Sequence, residues 1–344
     1  MEINEETLTV KPRKKAKKRH NLIICDDIII RFMLKCKYIY ANLASIEYNN
    51  ISINYYSINA FDLSARSDND KNNKIRESVI GAIINDIIHI NYYKYSLRWR
   101  KLRDEICKYI SKICDDNGIV NHTQKCIHKA GRNNHYDLLL TINNTEKFNI
   151  EFKFNAEFIN ETPQFVSPMK PSQYLQTSYE EYYYENYLTK LAQEFGLKLP
   201  EKNEYLHKIH SDKPKCVVDF QNKYYNGCKK SSKYTGIKED IDFYERSKEL
   251  SEESIKSFIT QYELKINELT QYLLNTQNNK YYMLYKNGNL YLQTINSSNY
   301  EIISYKKEPE LQSYIATTKT GIKLKILLRW KNGNGIAFPA FQIS

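Results

Sequence analysis

The cleanest alternation in the chain runs from Phe148 to Phe154. Phe148, Ile150, Phe152 and Phe154 fall on one face, and Asn149, Glu151 and Lys153 on the other, the period-two signature of a half-buried strand. It closes a series of three strand candidates, residues 123–131, 136–142 and 147–154, joined by turns at Gly131-Arg132-Asn133-Asn134 and Asn143-Asn144-Thr145-Glu146. Two helices are predicted ahead of the strands. Residues 74–90 carry apolar side chains almost all round, which indicates burial on more than one side; residues 95–114 form a basic helix around Trp99. Further on, 172–195 reads as a tyrosine-heavy helix, Lys215–Phe220 as a strand and 225–236 as an exposed basic loop. Residues 251–277 read as one long helix, with Ser251 and Ser254 at its start and Ile255, Phe258, Ile259, Tyr262, Ile266, Leu269 and Leu273 as its buried stripe. A hairpin turning on Asn287-Gly288 and a strand-like end at 321–343 with another Asn-Gly turn complete the pattern.

The fold class expected is α/β, an α+β arrangement with a mixed sheet. Residues 1–20 form a tail and 21–73 an N-terminal element whose last part, 64–74, is a linker. A core over 74–292 is interrupted by an insertion at about 155–250, and a β-rich extension covers 293–344.

Composition changes this picture little. With 344 residues, 41% hydrophobic and 26% charged, the chain can bury a full core, and wholesale disorder is excluded. Its thirty tyrosines accompany high Asn, Ile and Lys, a codon-usage signature of AT-rich coding sequence. Charge is more informative. Residues 11–19, KPRKKAKKR, hold seven of the basic residues and no acid, so the rest of the chain accounts for only +4 of the net +11. Such a run is a solvated tail, serving either as a nuclear-localisation signal or as a sequence-independent phosphate tether. Seven cysteines without a CxxC pair argue against a disulfide framework and against structural zinc. With no secretory signal and no apolar run long enough to span a membrane, the expected location is an intracellular, reducing compartment, with the nucleus reachable through the tail. His207-Lys208-Ile209-His210 is half a metal-site spacing, read as a solvated loop for want of an acid at helical distance.

Candidate chemistry concentrates on the hairpin. Glu151 and Lys153, two residues apart on one strand, point the same way. If Asp137 at the start of the partner arm joins them, two carboxylates and an amine converge. Carboxylates are the oxygen ligands that Mg²⁺ prefers, and an ammonium beside them can orient water and offset developing negative charge. Glu77 stacks at helical spacing with Ile80, Gly81, Ile84 and Ile88, either as a first-turn acid favoured by the helix dipole or as a carboxylate directed into a site, with Gly81 admitting a close strand. Arg98, Arg100, Lys101 and Arg103 cluster on the second helix. Lys323, Lys325, Arg329 and Lys331 share one face of the late strand. The first set is a phosphate contact or a solvated helix face; the second is a DNA-backbone contact or an edge strand guarded by lysines. The loop cations Lys229 to Lys233 add basic surface. Tyr179, Tyr182, Tyr183, Tyr184 and Tyr187 are read as helix packing rather than as a base-stacking platform.

A helix bearing an acid, then three strands with Asp on the second and Glu-x-Lys on the third, then a later helix and strand, resembles the PD-(D/E)XK, or restriction-endonuclease-like, nuclease superfamily. The motif reads Tyr136-Asp137, then Glu151-Phe152-Lys153, with Glu77 in the place of the helical acid and Tyr136 where the proline stands. The resemblance covers 74–154 and extends to 251–292, implying an αβββαβ core. It implies metal-dependent phosphodiester hydrolysis, most of all DNA endonuclease activity. Asp137 and Glu151 would be the Mg²⁺ ligands, with Mn²⁺ as a substitute; a backbone carbonyl near Phe152 and Glu77 would complete the shell, and Lys153 would position the water. DNA is the expected partner ahead of RNA, and a homodimer would suit cutting two strands. The rival reading is a non-enzymatic nucleic-acid-binding protein using the tail and the basic strands. A third is a scaffold protein whose tail merely directs it to a nucleus.

Overall fold

The computed structural model describes residues 45–62, 69–129, 134–159, 170–211 and 214–344. The expected tail at 1–20 and most of the turn at 131–134 lie outside these residues. The chain forms two compact units, one from the described residues up to 159 together with 279–295, the other from 170–278 and 296–344. It is a mixed α/β protein.

The first unit opens with a small hairpin, β1 (Ile46–Tyr48) and β2 (Ile51–Ile53), turned by Asn49 and Asn50 in the left-handed region, which asparagine tolerates better than most residues. A 3-10 turn over Tyr55–Phe61 leads to helices α1 (Asn69–Ile84), α2 (Ile90–Tyr95) and α3 (Leu97–Asp116). Helix α1 begins earlier than its apolar pattern predicts, so the second half of the expected 64–74 linker is helical. Arg76 explains the anchoring. Its side chain is fully buried, lies over the Phe154 ring at 3.5 Å, and donates to the Ala60 carbonyl at 2.7 Å and to Asn73 Oδ1 at 2.6 Å. The helix also stops at Ile84, short of the predicted residue 90. Asn85 leaves it to accept from the Cys126 N–H and donate to the Cys126 carbonyl, both at 2.8 Å. Those two bonds satisfy the open backbone edge of the outermost strand.

That strand is β3 (Gln124–His128), followed in sheet order by β4 (Leu138–Ile142), β5 (Glu146–Phe154), β6 (Lys280–Lys286) and β7 (Asn289–Thr294). Strands β3, β4 and β5 form an antiparallel meander, β6 runs parallel to β5, and β7 is antiparallel to β6. The Asn turns predicted within this sheet are present: Asn143 and Asn144 take positive φ in a three-residue loop between Ile142 and Glu146, and Asn287 with Gly288 in a two-residue one. The alternation predicted for β5 holds. Phe148, Ile150 and Phe152 enter a core with Leu138, Leu140 and Ile142 of β4, Val79 and Ile83 of α1, and Leu102, Ile106 and Ile110 of α3. Each such side chain contributes about 1.5–3 kcal/mol by burial. Asn149, Glu151 and Lys153 take the other face and are half-buried. The parallel register sets Asn149 beside Lys280, Glu151 beside Tyr282 and Lys153 beside Leu284, so Lys280 shares their face. A parallel pair needs a crossover, and here the chain passes through residues 170–278 of the second unit before returning as β6.

The second unit contains α4 (Tyr179–Tyr183), a π-helical turn (Tyr184–Leu188), α5 (Thr189–Glu194), α6 (Lys202–Lys208), α7 (Val218–Gly227), α8 (Lys238–Gln261) and α9 (Ile266–Gln277). The long helix predicted over 251–277 is therefore two. Ser251 and Ser254 are buried in the middle of α8 rather than capping it. The break falls where the Lys265 N–H donates to the Tyr174 carbonyl and the Gln176 N–H to the Glu263 carbonyl, both at 2.9 Å. Lys215–Phe220, predicted as a strand, is helical: a 3-10 turn after Pro214 feeds α7. Tyr179, Tyr183, Tyr184 and Tyr187 are buried, as expected for packing. An antiparallel sheet of β8 (Ile302–Glu308), β9 (Ser313–Thr318), β10 (Lys323–Asn332) and β11 (Ala337–Ile343) completes the unit in the order β11-β10-β9-β8. Strand β10 is thus interior, which removes the edge-guarding account of its lysines. Among the described residues no helix is long and apolar enough to cross a membrane, and Cys107, Cys114, Cys126, Cys216 and Cys228 are free thiols.

Candidate active site

Backbone pairing assembles the site. Continuing the β4–β5 register past Leu138–Ile150 brings Asp137 opposite Glu151, and the Asp137 N–H donates to the Ile150 carbonyl at 2.9 Å. The Phe152 N–H donates to Asp137 Oδ2, also at 2.9 Å, which fixes that carboxylate against β5. Lys153 Nζ lies 2.7 Å from Glu151 Oε1, and Lys280 Nζ lies 3.4 Å from Glu151 Oε2. Both Glu151 oxygens are therefore held by ammonium groups. The Glu151, Lys153 and Lys280 side chains are only 17%, 22% and 7% exposed. The cluster is not the solvated surface pair that a charged hairpin face ordinarily carries, for which about 0–1 kcal/mol is typical.

Glu77 also reaches this region. It sits more than two turns into α1, is 8% exposed and accepts a hydrogen bond from His128 Nε2 of β3 at 2.7 Å. The first-turn dipole account of its position is thereby overturned. Gly81 does allow a close approach, of the Tyr48 ring on β1: an added Cβ would stand 2.8 Å from its hydroxyl.

The charges interact. Burial pushes the Asp137 carboxyl up to about 7, the Glu151 and Glu77 carboxylates push it the same way, and the Phe152 N–H and Lys153 oppose them. Burial lowers the Lys280 ammonium, opposed by Glu151. Burial, followed by Lys280, lowers the His135 imidazole, again against Glu151. Three carboxylates thus share one low-dielectric neighbourhood, an arrangement that functional sites favour and that folding alone does not reward.

Sequence reasoning named Asp137, Glu151, Lys153 and Glu77 and missed Lys280, His128 and His135. Lys280 opens a predicted strand, but its partner Glu151 lies 129 positions away, and nothing local indicates a parallel pairing over that distance. On α3 the predicted phosphate contacts are largely engaged within the unit. Arg98 donates to Asn59 Oδ1 at 2.8 Å and pairs with Asp62. Arg100 donates to the carbonyls of Tyr93 and Lys94, Arg103 lies over the Tyr93 ring, and Lys101 packs on the Gly288 turn. His210, expected in a solvated loop, is instead buried against Glu180, Nε2 to Oε1 2.8 Å. That acid is thirty positions away, out of reach of any spacing rule. His207 is exposed on α6.

For a metal ion the donor chemistry fits. Asp137 and Glu151 supply hard oxygens, and the repulsion from Glu151 and Glu77, which adds to burial in raising the Asp137 carboxyl, is excess negative charge that a dication would relieve. Among the described residues no group of three or more His, Cys, Asp or Glu side chains could by itself hold an ion. Two carboxylates are nonetheless the usual protein share for Mg²⁺, with water and substrate phosphate as the remaining ligands. No family model, no curated protein and no solved structure matches this chain.

Proposed function

We propose that the chain is a divalent-metal-dependent nuclease of restriction-endonuclease-like type, acting on DNA as an endonuclease. The observation that carries this reading is the convergence of Asp137, Glu151 and Glu77, with Asp137 pushed up to about 7 by burial and by the other two acids, beside the Lys153 ammonium. The order of elements supports it: α1 with its acid, the β3–β4–β5 meander, and β6 parallel to β5.

Asp137 and Glu151 would hold Mg²⁺ or Mn²⁺. The bound ion supplies Lewis-acid polarisation of the phosphoryl group and lowers the pKa of water. The chain's own groups do the rest. The Phe152 N–H holds Asp137 in one orientation. Lys153, tethered to Glu151, presents its ammonium to the attacking water and to the charge that grows on phosphorus. Lys280 fixes Glu151 from the neighbouring strand. His128 holds Glu77 in place, and the Glu77 carboxylate adds to the negative field at Asp137.

The test is cleavage of circular DNA in Mg²⁺ by the wild type and by Lys153→Ala. The variant is expected to lose about 10²-fold or more in rate at a temperature where circular dichroism shows it folded, with unchanged DNA affinity and a lowered melting temperature, since the Glu151 carboxylate loses one of its two ammonium partners. Full activity in that variant contradicts the assignment. The lysines on both Glu151 oxygens favour one competitor, a nucleic-acid-binding protein with a purely structural ion cluster, which predicts no cleavage by either protein.

A further inference from the structure

We infer that Lys280 is a built-in rival of the divalent ion at Glu151, and that its charge sets the ion concentration at which the site fills. This role rests on the metal-site reading above and adds to it a residue that governs loading of the site. Lys280 is the first residue of β6 and enters through the parallel pairing with β5, beside Asn149. Its side chain is 7% exposed, and Nζ stands 3.4 Å from Glu151 Oε2.

That contact is more than Glu151 needs. Lys153 already holds Oε1 of the same carboxylate at 2.7 Å, and one ammonium balances one carboxylate. A second, nearly buried ammonium is costly to take out of water. Glu151 and Asp137 offset that cost, whereas Lys153 repels the new charge. Those two acids are the proposed ligands. Lys280 and the ion therefore draw on the same pair of carboxylates.

The charges are surplus in one state and useful in the other. With all three acids ionised, Glu77, Asp137 and Glu151 face the ammonium groups of Lys153 and Lys280, which leaves one negative charge. A dication turns that into one positive charge; without Lys280 the filled site would be neutral. Like charges this close, and poorly screened by solvent, disfavour one another. Lys280 thus opposes the ion once it is bound. In the ion-free protein the same ammonium holds Glu151 in place and tempers the repulsion among the acids. Its contact with Glu151 is longer than that of Lys153, 3.4 Å against 2.7 Å, so it is the partner that yields.

The experiment measures Mn²⁺ binding to full-length protein at pH 8, without nucleic acid, from the free-ion signal in electron paramagnetic resonance. Wild type is compared with Lys280→Met, which keeps the apolar stem and removes the charge. Two further variants are Lys147→Met, which removes the same charge from an exposed position on β5, and Asp137→Ala. Lys280→Met is expected to bind Mn²⁺ about tenfold or more tightly than wild type, the scale on which groups around the ligands act on metal affinity. Lys147→Met is expected to match wild type, and Asp137→Ala to lose binding. Thermal melts in EDTA verify folding; should Lys280→Met not fold, Lys280→Gln, which keeps a hydrogen-bond donor for Glu151, carries the same expectation. Unchanged or weaker binding by the folded variant makes Lys280 a structural partner of Glu151 and overturns the inference, as does equal tightening in Lys147→Met. In either case, loss of binding in Asp137→Ala leaves the metal-site reading standing. Binding that survives Asp137→Ala, or no binding by any of the proteins, means that the metal-site reading itself has failed, and the role of Lys280 with it.

Discussion

At the scale of single residues, the molecule spends stability on its acidic cluster. Asp137 has a carboxyl raised from near 3.8 to about 7 in the folded protein, so the folded state binds a proton more tightly than the unfolded one. The contribution of this one carboxyl is therefore fully present below pH 4, is lost as pH rises from about 4 to 7, and stays lost above that, a difference of a few kcal/mol. Asp137→Asn keeps the acceptor for the Phe152 N–H and removes the repulsion. In EDTA this variant is expected to be more stable than wild type by about 2 kcal/mol at pH 8 and equal to it at pH 4, as read from urea unfolding at the two pH values. Equal stability at both would show that the acids do not interact. Wild type at pH 8 is also expected to melt several degrees higher with millimolar Mg²⁺, and the variant to show no such rise. Of this cluster, Glu151 and Lys153 were legible because strand alternation is local. Asp137 was legible as a condition, that the first arm turn it the same way, and the β4–β5 register meets that condition. Lys280 and His128 were not, since they arrive through pairings that leave no local trace.

At the scale of elements, boundaries proved less legible than identities. The apolar period marks where α1 is buried but not where it begins, because its first turns are polar and are anchored through Arg76 on Phe154. It does not mark where the helix ends either, because Asn85 is drawn out to bind Cys126. The same reasoning explains α8 and α9, whose joint stripe reads as one helix although pairing with Tyr174 and Gln176 interrupts it. Asn85 is accordingly a strong stability determinant. Asn85→Ala strands the Cys126 N–H and leaves its carbonyl only the Tyr48 hydroxyl at 3.3 Å, and is expected to cost about 1–3 kcal/mol in urea unfolding, with Asn85→Asp, which keeps only the acceptor, falling between. A cost below 0.5 kcal/mol would mean that β3 is held by other means.

At the scale of the whole molecule, the first unit is discontinuous in sequence. The segments expected as an insertion and as a C-terminal extension contribute together to the second unit. A fragment ending at residue 162 lacks β6 and β7 and is expected to show no cooperative melt. Joining residue 159 to 279 through about 15 Gly/Ser residues, a span of about 20 Å, is expected to restore one, read by circular dichroism. Cooperative melting of the shorter fragment would show that the meander is sufficient without its parallel partner.

The central claim concerns the chemistry of Asp137, Glu151 and Lys153. It is tested most directly by incubating wild type, Asp137→Ala and Lys153→Ala with circular and linear DNA and with RNA, in Mg²⁺, Mn²⁺ or EDTA. Metal-dependent cutting of circular DNA by wild type, absent in EDTA and in both variants, is the expected result. Tight binding without cleavage under any of these conditions, or cleavage that survives Asp137→Ala, would contradict it.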